Sequence, residues 1–139
     1  MDVIVVGVDG SETAECAARE AAALAVATGA RLHLVTALTK GKSVKVQAGG
    51  EMWQATSLDQ AEQLLKDLAQ RVTPAGIKRS TAVLDGKPAD AICAEAARVG
   101  ADLIVVGNRR VQGASRVLGA IALDIAHHAP CSVYIAKTT

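Results

Sequence analysis

The stretch LIVVGNRRVQGASRVLGA, residues 103–120, decides the fold of this chain. Its apolar, mostly β-branched start is typical of a strand buried on both faces, and this run stops at Gly107. A polar loop containing Gly113 leads into a helix near Gly119, and glycines there allow tight turns and close packing. A helix N-terminus attracts anions, because its first amides lack internal partners and the helix dipole is positive there. The spacing alone leaves two interpretations open, a phosphate site or a simple turn.

The same alternation of strand and helix runs through the whole chain. Hydrophobic patterning predicts strands at 3–8, 31–37, 78–84, 102–106 and 131–137, with helices at 12–28, 57–72, 88–99 and 117–129. This order predicts a single α/β domain over residues 1–139, a doubly wound, open, five-stranded parallel sheet with helices on both faces. The most uniformly apolar runs, 3–8 and 103–106, are expected at its centre.

Composition excludes several classes of function. With 15 Lys and Arg against 14 Asp and Glu, the net charge is +1, which predicts no nucleic-acid partner. One Trp, one Tyr and no Phe argue against a flavin-stacking electron carrier. No leader-like start and no apolar run near ~20 residues are seen, so we expect a cytoplasmic protein with no membrane partner.

The cysteines and histidines suggest no metal site. Cys16, Cys93 and Cys131 are far apart and are expected to be small core residues in a reducing compartment. The adjacent histidines at 127 and 128 point about 100° apart on a helix, so they are poorly placed to share a metal. His33 is expected at the margin of the sheet.

Doubly wound sheets bind ligands beyond the carboxyl ends of their strands, where the strand order reverses. If the first and fourth strands are neighbours there, Asp9 and the loop after Gly107 face one crevice. Loop amides and Ser115 would bind phosphates, Asp9 would bind a ribose hydroxyl or a magnesium-bound water, and Ala37 would lie near the base. Asp9 also fits a plain Asp-Gly-Ser turn. The long polar loop at 38–56 contains Trp53, which covers a ligand, joins a subunit contact or packs on the domain.

Three segments together resemble the universal stress protein family over essentially the whole chain. They are VVGVDGSETA (5–14), GKPADAICAEAARVGADLIVVGN (86–108) and AHHAPCSVYIAK (126–137). The resemblance implies a sheet of order 3-2-1-4-5. It also implies a homodimer made by antiparallel pairing of the last strands, here Ser132, Val133, Tyr134, Ile135 and Ala136.

Members of this family divide into those that bind ATP or another adenine nucleotide and those that do not. The binding group resembles G-x2-G-x9-G-[ST] after the fourth strand, and this chain departs from it at two positions and in length. Arg110 replaces the second glycine, Ala120 follows Gly119 where Ser or Thr is usual, and the intervening run is one residue shorter. Arg110 would distort the turn or clamp a phosphate. The hydroxyl missing at Ala120 is worth about 1.5 to 3 kcal/mol against a charged phosphate.

Carried over by position, the resemblance implies a nucleotide site on both sides of the crevice. The base and ribose would be lined by Gly7, Val8 and Asp9, and the base also by Ala37. The phosphates would be lined by Val106, Gly107, Arg110, Gly119, Ala120 and Ile121. Gly113 would preserve the loop amides.

Three functions follow from these observations. The first is a dimeric stress-response regulator whose occupancy by ATP or another adenine nucleotide, with Mg²⁺, alters its contacts with unidentified protein partners. The second is a nucleotide-independent dimer that protects or scaffolds partners. The third is an enzyme, a nucleotide hydrolase or a phosphoacceptor using Asp9, Asp85 and Lys137. No Ser-His-Asp set, metal cluster or GxxxxGK[ST] loop is evident, so we expect no catalytic residues, with slow ATP hydrolysis left open.

Overall fold

A five-stranded parallel sheet forms the centre of the fold. The computed structural model describes residues 1–8, 12–38, 58–108 and 119–138. The strands are Val3–Gly7 (β1), Arg31–Leu38 (β2), Arg79–Asp85 (β3), Leu103–Gly107 (β4) and Ser132–Ala136 (β5). They lie in the order β3-β2-β1-β4-β5, and every pairing is parallel. The predicted doubly wound α/β fold and its strand order are therefore confirmed.

Four helices connect these strands: Glu12–Thr28 (α1), Leu58–Val72 (α2), Pro88–Val99 (α3) and Ala120–His128 (α4). Pro88 begins α3, where a missing N–H costs nothing, and Gly100 ends it in the left-handed conformation with φ of 69°. The predicted starts of α2 at residue 57 and of α4 at residue 117 lie outside the described residues.

The sheet separates two apolar cores, because successive strand residues face opposite sides. Side chains such as Ile4, Leu34 and Val105 pack under α1 and α2 in one core. Val5, Ile104 and their neighbours pack under α3 and α4 in the other. This two-sided burial explains why β1 and β4 are continuous apolar runs.

Burial corrects the expected positions of Cys16 and His33. Cys16 is exposed, because the inner stripe of α1 is made by alanines on either side of it, whereas Cys93 and Cys131 are half-buried and pack against the core under α3 and α4. His33 is buried under α3 rather than at the sheet margin. Ile121, which is predicted to line the phosphates, is 46% exposed, because the buried residues of α4 are Ala122 and Ile125.

Candidate functional site

The carboxyl ends of β1 and β4 lie side by side at the centre of one edge of the sheet. Ile4 is level with Leu103 and Val6 with Val105, so both strands end at the same height. The chain leaves β1 toward β2 and returns to the other flank of β1 as β4. This is the reversal of strand order at which doubly wound folds bind ligands.

The predicted residues of β1 and β2 reach this edge in different states of burial. Val8 is buried against the α1 core, and its N–H donates to the carbonyl of Val35 at 2.9 Å. Ala37 is only half-buried near the end of β2, so its surface is partly open at the edge.

Gly7 has a packing role at this edge. A Cβ placed on it would lie 2.8 Å from Cδ1 of Ile92 and 3.4 Å from Cγ1 of Val106. The missing side chain therefore makes room for α3 beside the buried Val106.

The N-terminus of α4 lies at the same edge. Helix α4 follows β4 in the chain and leads to the start of β5, so it runs from the carboxyl edge to the opposite edge. Gly119 precedes the helix with φ of −63° and ψ of 155°, and no side chain of the described residues forms a capping hydrogen bond there. The carbonyl of Gly119 accepts a bond from the N–H of Leu123 at 3.0 Å. Ala120 and Ile121 are exposed, and the first amides of a helix lack partners within the helix.

Four of the predicted site residues lie outside the described part of the chain. They are Asp9, Arg110, Gly113 and Ser115, and Trp53 is also outside it. Their roles stay predictions, whereas Gly107 is described, at the end of β4 and paired with Ala136 of β5.

Sequence reasoning missed Asn108, which ties the end of β4 to the end of the chain. Its N–H donates to the carbonyl of Ala136 at 3.0 Å. Its Oδ1 accepts from both the N–H and the hydroxyl of Thr138, each at 2.9 Å. An asparagine just after a strand-ending glycine indicates a turn bond, but its partner lies 30 residues away in sequence. Asn108 therefore fixes the direction of the chain as it leaves Gly107.

The comparisons with known proteins agree with this architecture. The model of the universal stress protein family matches residues 1–137. The chain belongs to the universal stress protein family. The resemblance predicted from the three sequence segments is thereby confirmed.

Individual relatives of this universal stress protein cover nearly all of it. It is 32% identical over 138 residues to the universal stress protein SERP1273 of Staphylococcus epidermidis, spanning 97% of this chain and 83% of that one. A universal stress protein crystallised in complex with cAMP is 29% identical, has a TM-score of 0.78 and matches 99% of this chain and 98% of its own. Rv1636 of Mycobacterium tuberculosis is also 29% identical, with a TM-score of 0.61 and coverage of 99% and 96%.

The described ranges contain neither a membrane-spanning helix nor a metal-binding cluster. No helix in those ranges of this universal stress protein is long and apolar enough to cross a membrane. Nor do these ranges hold a group of three or more His, Cys, Asp or Glu side chains that could bind a metal ion.

Proposed function

We propose that this universal stress protein binds an adenine nucleotide, ATP or a related compound, at the carboxyl edge between β1 and β4. The observation that carries the proposal is the meeting of the β1 and β4 ends with the uncapped N-terminus of α4 at the reversal of strand order. The relative in complex with cAMP supports the adenine class of ligand.

The edge offers suitable chemistry for the two ends of a nucleotide. The exposed first turn of α4 supplies N–H donors and a positive dipole end to phosphates. Ala37 has a small side chain at the end of β2, which leaves space for a base. The proposal needs no catalytic group, and Mg²⁺ would accompany a triphosphate through its phosphate oxygens.

Calorimetric titration of the nucleotide-stripped protein tests the proposal directly. ATP with Mg²⁺, AMP and cAMP are titrated separately, and we expect at least one of them to bind. Ala120→Ser restores a hydroxyl at the first residue of α4 and should tighten binding of a phosphate about tenfold or more. Ala126→Ser is the matched control, since it places the same hydroxyl on an exposed position near the other end of the helix.

The departure at Ala120 favours a second candidate, the nucleotide-independent dimer that scaffolds or protects partner proteins. Absence of binding heat for all three nucleotides, in the wild type and in Ala120→Ser, would contradict nucleotide binding and favour this alternative.

We also propose that two copies of the chain pair through β5, the edge strand next to β4. The carbonyl of Ala136 is directed at Asn108. In a strand, the N–H and C=O of one residue point to the same side, and those of the next residue point to the other side. The N–H and C=O groups of Val133 and Ile135 therefore point away from β4, toward the position of a second strand.

Sedimentation analysis tests this pairing. Val133→Pro removes one outward N–H and should convert the dimer to a folded monomer, since proline is tolerated on edge strands. Val133→Thr keeps both the amide and the branched shape, so it should remain dimeric. A monomeric wild type, or a Val133→Pro variant that remains dimeric, would contradict the interface.

A further inference from the structure

A chain of hydrogen bonds joins the half-buried Ser80 to the buried His33 and Glu95 beneath α3. His33 is paired with Ser80 in the register of β2 and β3, and its Nδ1 lies 2.7 Å from the Ser80 Oγ. Its Nε2 lies 2.7 Å from Oε2 of Glu95. His33 and Glu95 are 5% and 7% exposed. The three groups are in the contact order of a nucleophile, a base and an acid that orients the base.

Charge sets the direction of these hydrogen bonds. The guanidinium of Arg98 donates to Glu95 from Nε at 2.8 Å and from Nη2 at 2.7 Å. These bonds, together with that of His33, lower the pKa of Glu95 to about 2 against the cost of burial. Glu95 is therefore ionised near neutral pH and can only accept, so Nε2 of His33 carries a proton. In neutral His33 the lone pair is then on Nδ1, and the Ser80 hydroxyl donates to it.

We propose that Ser80 is an activated nucleophile that takes an acyl group from small activated esters, with His33 as its base and Glu95 as a positioning residue. Oγ of Ser80 attacks the ester carbonyl carbon while its proton passes to Nδ1 of His33. The bond from that carbon to the leaving oxygen then breaks, and the leaving alcohol takes the proton from Nδ1. The products are acyl-Ser80 and the free alcohol.

The position of Ser80 allows access to a reagent. Ser80 lies on β3, the outer strand of the sheet, and is only half-buried. The side chain of Arg98 is 68% exposed and forms an ion pair with Glu95. This ion pair partly neutralises the negative charge of Glu95 and so weakens its stabilisation of protonated His33. We therefore expect a single covalent capture rather than rapid turnover. His33 precedes Ala37 by four residues on β2, roughly 13 Å at strand spacing, so this site is separate from the proposed nucleotide edge.

A fluorophosphonate probe applied to the full chain tests the proposal, with the adduct measured by intact mass and located by peptide mapping. We expect one adduct, on Ser80, and a matching burst of nitrophenol from p-nitrophenyl acetate. The folded His33→Gln variant is the matched comparison, because it keeps Ser80 and removes only the base that Ser80 contacts. Ser80→Ala should abolish the adduct, and His33→Gln should slow its formation about a hundredfold.

The pH profile separates activation from a purely structural network. Labelling should fall on acidification, because a protonated His33 cannot accept the Ser80 proton. The groups that face His33 are Ser80 from β3, the apolar Val5 from β1, and Glu95 with its partner Arg98 from α3. Glu95→Gln removes the charge that stabilises the imidazolium formed when His33 takes the Ser80 proton, so it should slow labelling.

Circular dichroism and thermal melting establish that each variant is folded before its labelling is compared. Absence of an adduct on Ser80, or unchanged labelling in folded His33→Gln, would overturn the proposal. The chain of hydrogen bonds would then serve only to satisfy a buried histidine.

Discussion

Replacement of Gly7 by alanine probes the closest packing at the candidate site. The added methyl would lie 2.8 Å from Cδ1 of Ile92, well inside the ~3.5 to 4.0 Å optimum for two carbon atoms. Ile92 is 5% exposed, so its side chain has little room to move away. The conflict is between side chains, because Gly7 is not among the glycines with positive φ.

The expected destabilisation combines two opposing effects. Overpacking of a well-packed core costs about 1 to 3 kcal/mol. Alanine also restricts the unfolded chain more than glycine does, which stabilises the folded state relative to the unfolded state by roughly 0.4 to 1 kcal/mol. The net loss for Gly7→Ala is therefore about 1 kcal/mol. Ile92→Val removes the Cδ1 atom at a cost of about 0.5 to 1.5 kcal/mol. In the double variant the nearest neighbours of the methyl are Cγ1 of Val106 at 3.4 Å and Cγ1 of residue 92 at 3.8 Å, which are ordinary contacts.

Urea unfolding followed by circular dichroism measures this double-mutant cycle. We expect the Gly7→Ala and Ile92→Val pair to be more stable than the sum of its single changes by about 1 kcal/mol or more. Ile125→Val is the matched control, because Ile125 is buried in the same core on α4 and is not among the atoms nearest to Gly7. Additivity of the Gly7 and Ile92 changes within about 0.5 kcal/mol would refute the packing explanation.

For three other perturbations the structure predicts the direction of the change in stability or in nucleotide binding. The pKa of Glu95 is lowered from 4.5 to about 2, so its stabilisation is present above about pH 4.5 and is lost as the pH falls through 2. The wild type should thus lose about 3 kcal/mol more than Glu95→Gln between pH 5 and 2, as measured by urea unfolding at each pH. Ala120→Asp should stabilise α4 by about 0.3 to 1 kcal/mol through the helix dipole, and it should weaken nucleotide binding because the added carboxylate repels phosphates. Ala126→Asp, near the other end of the helix, should have neither effect. Absence of both effects in Ala120→Asp would contradict an open helix N-terminus. Arg71→Gln breaks an exposed ion pair with Glu15 between α2 and α1, so it should lower the melting temperature slightly at low salt and not at high salt.

The sequence predicts most of this fold because its signals are local. The apolar runs at 3–8 and 103–106 locate the central strands, since burial on both faces removes any alternation. Pro88 and Gly100 mark the ends of α3, since each acts through its own backbone. The pairing of β1 with β4, which creates the candidate site, follows from the family resemblance.

Other features depend on partners far along the chain. His33 contacts Ser80 and Glu95, which are 47 and 62 residues away, so no local pattern indicates its burial. In α1 alanines lie on so many sides that the sequence cannot show that Cys16 faces outward. Gly7 was predicted as a ligand neighbour, and its contact with Ile92 depends on how α3 crosses the sheet.

The place of β1 between β2 and β4, with a core on each face, also sets the pace of deuterium uptake along the backbone. Its amides should exchange only when the sheet opens as a whole, since local fraying begins at exposed strands. The outward amides of β5 should exchange early in an isolated copy and late when a second copy covers them. The ratio of uptake in β5 to that in β1 is therefore a measure of assembly that needs no label and no substitution.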